Sequence, residues 1–259
     1  MTQVRAMIVG ASSLLSREIA TQLAADGVRL TLFASDPQSL REFSQSLPTQ
    51  ADIFPLHVDD PQAIITSIKT AWQSLGGADL VLVNTGLHHY DPELPWQAEQ
   101  QMITVNVQAF SAICNTAFQL FRTQGYGQLT TINSIAGLRG GSCVAYHASK
   151  AYAKNYVEGL SMHAQRLKLP ITLTDIQLGL LDKAVLQKNR LWVAPPDKIA
   201  RQIINAMKAG KRKVYVTKRW RWVAWLTQCL PEFIYNTRQW QTKAQRKAQK
   251  KNSRSVIKE

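Results

Sequence analysis

The sequence is short of cysteine. Its 259 residues hold three, Cys114, Cys143 and Cys229, with neither pairing nor metal-ligand spacing. That excludes a disulfide scaffold or a zinc module, leaves no metal site to expect, and fits reduced thiols in a cytoplasmic protein. Long hydrophobic runs are missing too. No stretch approaches the roughly 20 apolar residues that span a bilayer. The apolar run after Arg5 is short and lacks a small-residue cleavage pattern, so a first strand is expected there rather than a leader. Acidic residues are scarce at one end only. Residues 1–207 balance to +1, and residues 208–259 carry +13, completing the chain's +14. A near-neutral body with a basic end confines any acidic partner to that end.

What is present is a regular alternation. Ala6–Val9, Arg29–Phe33, Asp52–His57, Leu80–Val83, Leu129–Asn133 and Ile171–Gln177 read as strands, with Lys213–Val216 as an edge strand. Amphipathic stretches separate them, at Leu14–Ala25, Gln38–Ser46, Pro61–Leu75, Glu99–Thr123 and Ala145–Leu167. The pattern predicts an α/β, Rossmann-like, doubly wound parallel sheet with helices on both faces, plus a basic amphipathic C-terminal extension. The expected division is a dinucleotide-binding catalytic domain over 1–217, a Trp-rich amphipathic segment over 218–241, and a basic tail over 242–259. That tail is polar, without a core-forming stripe, and is expected to be disordered or loosely helical.

Glycine is scarce where it would matter most. The stretch VGASSLLSREIA, residues 9–20, lies between the first strand and the first helix, the position of a dinucleotide loop. A helix N-terminus there offers free N–H groups to a pyrophosphate. Gly10 supplies the tight turn, but Leu14 and Ser16 stand where glycines are usual. If position 14 needs a positive φ, leucine costs about 1–2 kcal/mol. The loop alone leaves cofactor binding open.

Other residues add to it. YHASK places Tyr146 and Lys150 four apart, on one helix face. Ser134 follows a strand in INSIAG, Asn84 and Gly86 end another in VNTG, and Asn106 lies in ITVNVQAF. Taken together and in this order, the sequence resembles the short-chain dehydrogenase/reductase family over roughly residues 4–217. The resemblance implies a catalytic set of Asn106, Ser134, Tyr146 and Lys150. It implies cofactor contacts from Gly10, Ser12, Ser13, Leu14, Leu15, Ser35, Asp59, Asn84, Gly86, Tyr146, Lys150 and Gly179. Two departures stand out: Leu178-Gly179 replaces a Pro-Gly pair, and Lys183 falls where a threonine often meets the carboxamide.

The chemistry calls for these residue types. A carbonyl gaining hydride on carbon needs a proton on oxygen. A tyrosine of pKa about 10 is a slow acid–base, so a neighbouring ammonium, Lys150, is expected to lower Tyr146. Ser134 can hold and polarise the carbonyl oxygen. The family implies that Lys150 also holds a ribose and that Asn106 relays protons to it. The expected activity is NAD(P)-dependent interconversion of a ketone and a secondary alcohol. The rival is a non-catalytic, nucleotide-binding scaffold. No carboxylate stands at the usual NAD position near Ala34, and Asp36 falls late, which leans the cofactor towards NADP(H) over NAD(H). His88, His89 and Tyr90 are expected to line the substrate pocket. The two long helices resemble those the family uses to build homo-oligomers.

The C-terminal segment 211–240 carries a second signal. Trp222, Trp225, Leu226, Cys229 and Leu230 fall on one helix face, with Lys and Arg on both sides. Such a helix suits a membrane interface, with residues 211–259 meeting an anionic surface. It equally suits packing on the body or on a second subunit. Nucleic acid is the weakest reading, since no binding module is present. The membrane reading implies a hydrophobic or lipid-linked substrate and an enzyme peripheral on the cytoplasmic face.

Overall fold

Short runs, apolar and buried on both faces in the central strands and half-buried at the two edges, make β1 (Arg5–Val9), β2 (Arg29–Ala34), β3 (Ala51–Pro55), β4 (Leu80–Val83), β5 (Gly127–Ser134), β6 (Ile171–Leu178) and β7 (Lys213–Val216). All pair in parallel, in the order β3-β2-β1-β4-β5-β6-β7. The computed structural model describes residues 3–179, 194–231 and 234. Lys183 and the 242–259 tail lie outside the described residues.

The strand order reverses between β1 and β4, which opens a crevice at their C-terminal ends. One face of the sheet is covered by α1 (Leu14–Ala25), whose Ile19 and Leu23 are buried. The other is covered by α3 (Pro61–Leu75), α5 (Phe110–Gln124) and α6 (Val144–Arg166), through Ile64, Ile68, Phe118, Phe121 and Val157. Local signals start and stop these helices. The Asp60 carboxylate caps α3, accepting from the N–H groups of Gln62 at 2.8 Å and Ala63 at 3.1 Å. Gly76, at φ +72°, ends that helix in the left-handed region.

Two expectations change. The single helix expected over Glu99–Thr123 is α4 (Trp96–Ile103), a π-helical turn at Thr104–Ala109, and then α5. The extra residue in that turn lets the Asn106 carboxamide pair with the backbone of Leu87, which an unbroken α-helix would not reach. The helix expected over Gln38–Ser46 is a 3-10 turn at Pro37–Leu40 followed by the short α2 (Arg41–Gln45). Its cause is Asp36, whose side chain accepts from Gln38 N–H and tightens the entry.

A further helix, α7 (Pro196–Lys208), was not anticipated. It lies beside α1, and its buried Ile199, Ala200, Ile203, Ile204 and Met207 complete that face of the core. The signal was readable: Pro196 and Asp197 in the first turn, then an apolar stripe at helical spacing. After β7 comes α8 (Trp220–Cys229).

Ile203 is fully buried under the sheet. Ile203→Ala is expected to lower stability by about 2–4 kcal/mol, read from urea unfolding.

Candidate active site

The C-terminal strand ends deliver most of the expected residues to one edge. Gly10 follows β1, Asn84 to Gly86 follow β4, Ser134 closes β5 and Gly179 follows β6. Gly10 has φ +86°, and a Cβ there would collide with the carbonyl of Asn84. No other residue type fits that approach.

The one-glycine loop is held by side chains. Ser13 caps α1, accepting from Ser16 N–H at 3.1 Å. The Asn84 amide donates to Ser13 Oγ at 2.9 Å and Ser16 Oγ at 2.8 Å. Ser16 is fully buried, so its hydroxyl takes the place of glycine while bonding the loop to β4. Leu14 does not carry the expected strain. Among the described residues, positive φ outside glycine occurs at Leu94 and Lys168 alone. Leu14 opens α1 in helical geometry, with its side chain 70% exposed.

The N–H groups of Gly10 and Ala11 are spent on Phe33 C=O, and that of Arg17 on Ser13 C=O. Those of Ser12, Ser13, Leu14 and Leu15 remain at the positive end of α1 as donors for an anion. The donor set therefore fits a dinucleotide pyrophosphate. Ser35 is exposed after β2, and Asp59 is exposed in the turn after β3.

Lys150 lies fully inside this edge. A Cβ on Gly86 would stand 3.2 Å from its Nζ and 3.6 Å from Asn106 Oδ1. A Cβ on Gly137 would meet the Lys150 carbonyl at 2.5 Å. Both glycines keep the chain close enough to enclose the lysine. Asn106 accepts from Leu87 N–H at 2.6 Å, and donates to Leu87 C=O at 2.8 Å and Ser149 Oγ at 3.0 Å. Burial lowers Lys150 to about 8, opposed by the charge of Asp175.

Tyr146 is half-buried in the first turn of α6, which the Glu99 carboxylate caps through Ala145 N–H at 3.0 Å. Lys150 Nζ lies 5.7 Å from the ring centroid, and the His88 ring meets it edge-on at 4.5 Å. The expected lowering of Tyr146 by Lys150 is not what the structure shows. Burial raises the phenol above its ordinary value, and a hydrogen bond with Ser134 pulls it back. The lysine stands over the ring, and burial lowers its own pKa.

The remaining residues divide. His88 reaches Tyr146, whereas the His89 carbonyl accepts from the Cys143 thiol at 3.1 Å. Tyr90 is 55% exposed. Gly179 packs against the indole of Trp220, which fills the space a side chain would take. Among the described residues no cluster of His, Cys, Asp and Glu could hold a metal.

Two residues went unnoticed in the sequence. Asp175, on β6, is buried among Gln177, Asn133, Lys154 and Lys213, and Gln177 donates to it at 2.6 Å. Only its placement in a central strand marks it, which sequence shows weakly. Arg17, in α1, reaches the turn after β2 and donates to Ser39 C=O at 2.9 Å.

Comparison with known proteins shows the family. The short chain dehydrogenase family model matches residues 5–194, and the chain belongs to that family. An oxidoreductase of Mycobacterium tuberculosis (strain ATCC 25618 / H37Rv) is 30% identical over 198 residues, 73% of this chain and 77% of that one. One from Staphylococcus aureus (strain NCTC 8325 / PS 47) is 26% identical over 219 residues, 82% and 94% of the two chains. Among solved structures, a 7beta-hydroxysteroid dehydrogenase aligns with TM-score 0.74 at 17% identity, covering 87% of this chain and 92% of its own. LigD from Sphingobium sp. strain SYK-6 aligns at 0.75 and 17%, covering 85% and 92%. The chain is thus an oxidoreductase acting on CH–OH groups, in a family that binds NAD(P)(H).

Asp175 titrates near 6 in the fold against 3.8 as an unburied carboxyl. Between those values the folded chain holds more protons than the unfolded one, so rising pH costs stability. Asp175→Asn removes that term. The stability of the wild type relative to the variant is expected to fall by about 2–3 kcal/mol from pH 4 to pH 7, read from urea unfolding.

Proposed function

We propose that this dehydrogenase interconverts a ketone and a secondary alcohol, with Tyr146 as acid–base, on a hydrophobic or lipid-linked substrate at the cytoplasmic face of a membrane. The observation that carries this reading is the gathering of Tyr146, Ser134, Lys150 and Asn106 at one sheet edge. A bound nicotinamide supplies the hydride in reduction and takes it in oxidation.

The chain's own residues do the rest. The Tyr146 hydroxyl gives its proton to the carbonyl oxygen as hydride reaches the carbon, and takes it back in the reverse direction. Ser134, hydrogen-bonded with Tyr146, donates to the same oxygen and steadies the charge that develops on it. Lys150, at about 8, exchanges protons near neutral pH. Asn106, clamped by Leu87 and Ser149, holds the polar path to that lysine. The N–H groups of Ser12 to Leu15 would hold a pyrophosphate, Asp59 is the residue for the adenine end, and Gly86 and Lys150 are those for the ribose.

NADP(H) is the preferred cofactor in this reading. Asp36 is committed to Gln38 N–H at 3.0 Å, and Arg17 brings a cation to the turn after β2. An apolar substrate is supported by Tyr90 and Leu94, exposed between β4 and α4, and by Trp96, exposed at the start of α4. Alpha5 and α6 are the faces for a homo-oligomer.

Tyr146→Phe is expected to cut turnover by about 10²–10⁴-fold while leaving NADPH affinity within about twofold, in steady-state assays and fluorescence titration. Retained turnover overturns the mechanism. In the same titration NADPH binds at micromolar levels and more tightly than NADH. Arg17→Gln narrows that difference by about tenfold, the loss of one charge-assisted contact.

A further inference from the structure

The inward side of α8 is taken. Ala224 is buried, and Arg139, just beyond the turn at Ile135–Leu138, donates to Leu230 C=O at 2.8 Å and Thr227 C=O at 3.4 Å. Trp220 fills the space over Gly179. The helix is thereby fastened to the two strand ends that carry Ser134 and Gly179.

Its outward side is apolar. Trp222 is 67% exposed, Trp225 60% and Leu226 53%. Lys218, Arg219 and Arg221 adjoin it in sequence, and no acid occurs between Asp197 and Glu232. A second copy seated on this face would bring the same basic rim against itself, since a two-fold contact opposes like to like. An anionic bilayer satisfies both parts: indoles settle at the headgroup level while lysine and arginine meet lipid phosphates. Among the described residues no helix is long and apolar enough to cross a membrane, so α8 would lie in the interface plane.

We propose that α8 is the docking face of the enzyme on anionic membranes, with Trp222, Trp225 and Leu226 entering the headgroup layer. Arg139 and Trp220 make the helix and the active-site edge one rigid unit, so docking turns that edge towards the lipid. This deepens the proposed function and rests on it only in taking that edge as the active site.

The test is sedimentation of the full chain with vesicles of phosphatidylglycerol and phosphatidylcholine, and of phosphatidylcholine alone, at about 0.15 M salt. The wild type is expected to pellet with the anionic vesicles, and Trp222→Ser/Trp225→Ser to bind roughly tenfold or more weakly. The variant should keep its circular dichroism and its rate on a water-soluble ketone. Brominated lipid should quench wild-type tryptophan fluorescence, a readout that needs no variant. A wild type left in the supernatant, a variant that binds equally, or no quenching overturns the proposal. So does a dimer that the variant dissolves while vesicle binding is unchanged. Vesicle binding by a chain inactive on every ketone supports docking and overturns the reading of the active site instead.

Discussion

A lysine ammonium enclosed at the edge of a parallel sheet sets the terms for everything around it. A buried cation is costly unless polar groups and a counter-charge offset the lost water. Here the offsets come from different parts of the chain. Gly86 and Gly137 let two loops close on the side chain and on its backbone. The π-helical turn aims Asn106 at the same spot. Asp175 supplies negative charge from β6, and its own carboxyl is pushed up by burial. Each of these would be a defect by itself: a helix broken mid-length, an acid in a core strand, glycines against a helix. Around one lysine they form a consistent arrangement.

The nucleotide loop follows a similar logic. A dinucleotide loop uses glycine where backbone must approach backbone. This chain keeps glycine only at Gly10, where a Cβ meets the Asn84 carbonyl. At position 16 a buried serine is tolerated because its hydroxyl bonds Asn84. At position 14 the leucine turns outward and leaves the N-terminal N–H groups of α1 uncovered. Loss of glycine thus changes how the loop is held, and the helix end keeps its donors.

Alpha8 shows how a short extension acquires direction. Its amphipathic face alone admits a core, a partner or a lipid surface. Seating the opposite side on Arg139 and Gly179 leaves the indoles facing outward and ties them to the active-site edge.

The sheet, its parallel order and most helix positions were legible because apolar periodicity is a local property, with a cap such as Asp60 or a stop such as Gly76 marking the ends. The spacing of Tyr146 and Lys150 on one helix face was legible for the same reason. Alpha7 is equally readable, from Pro196 and Asp197 and the apolar stripe that follows them. Other features came only from packing. The direction of the Tyr146 shift depends on burial, which a four-residue spacing does not convey. The break in the helix at Asn106 depends on Leu87, 19 residues away in sequence. Asp175 is buried beside Asn133 only because β6 lies beside β5. Local patterning along the chain is enough to set the layers and the chemical types at the site. Packing sets the direction in which their pKa values move, the role of Gly10, Gly86 and Gly137, and the outward face of α8, because burial and contact join segments distant along the chain.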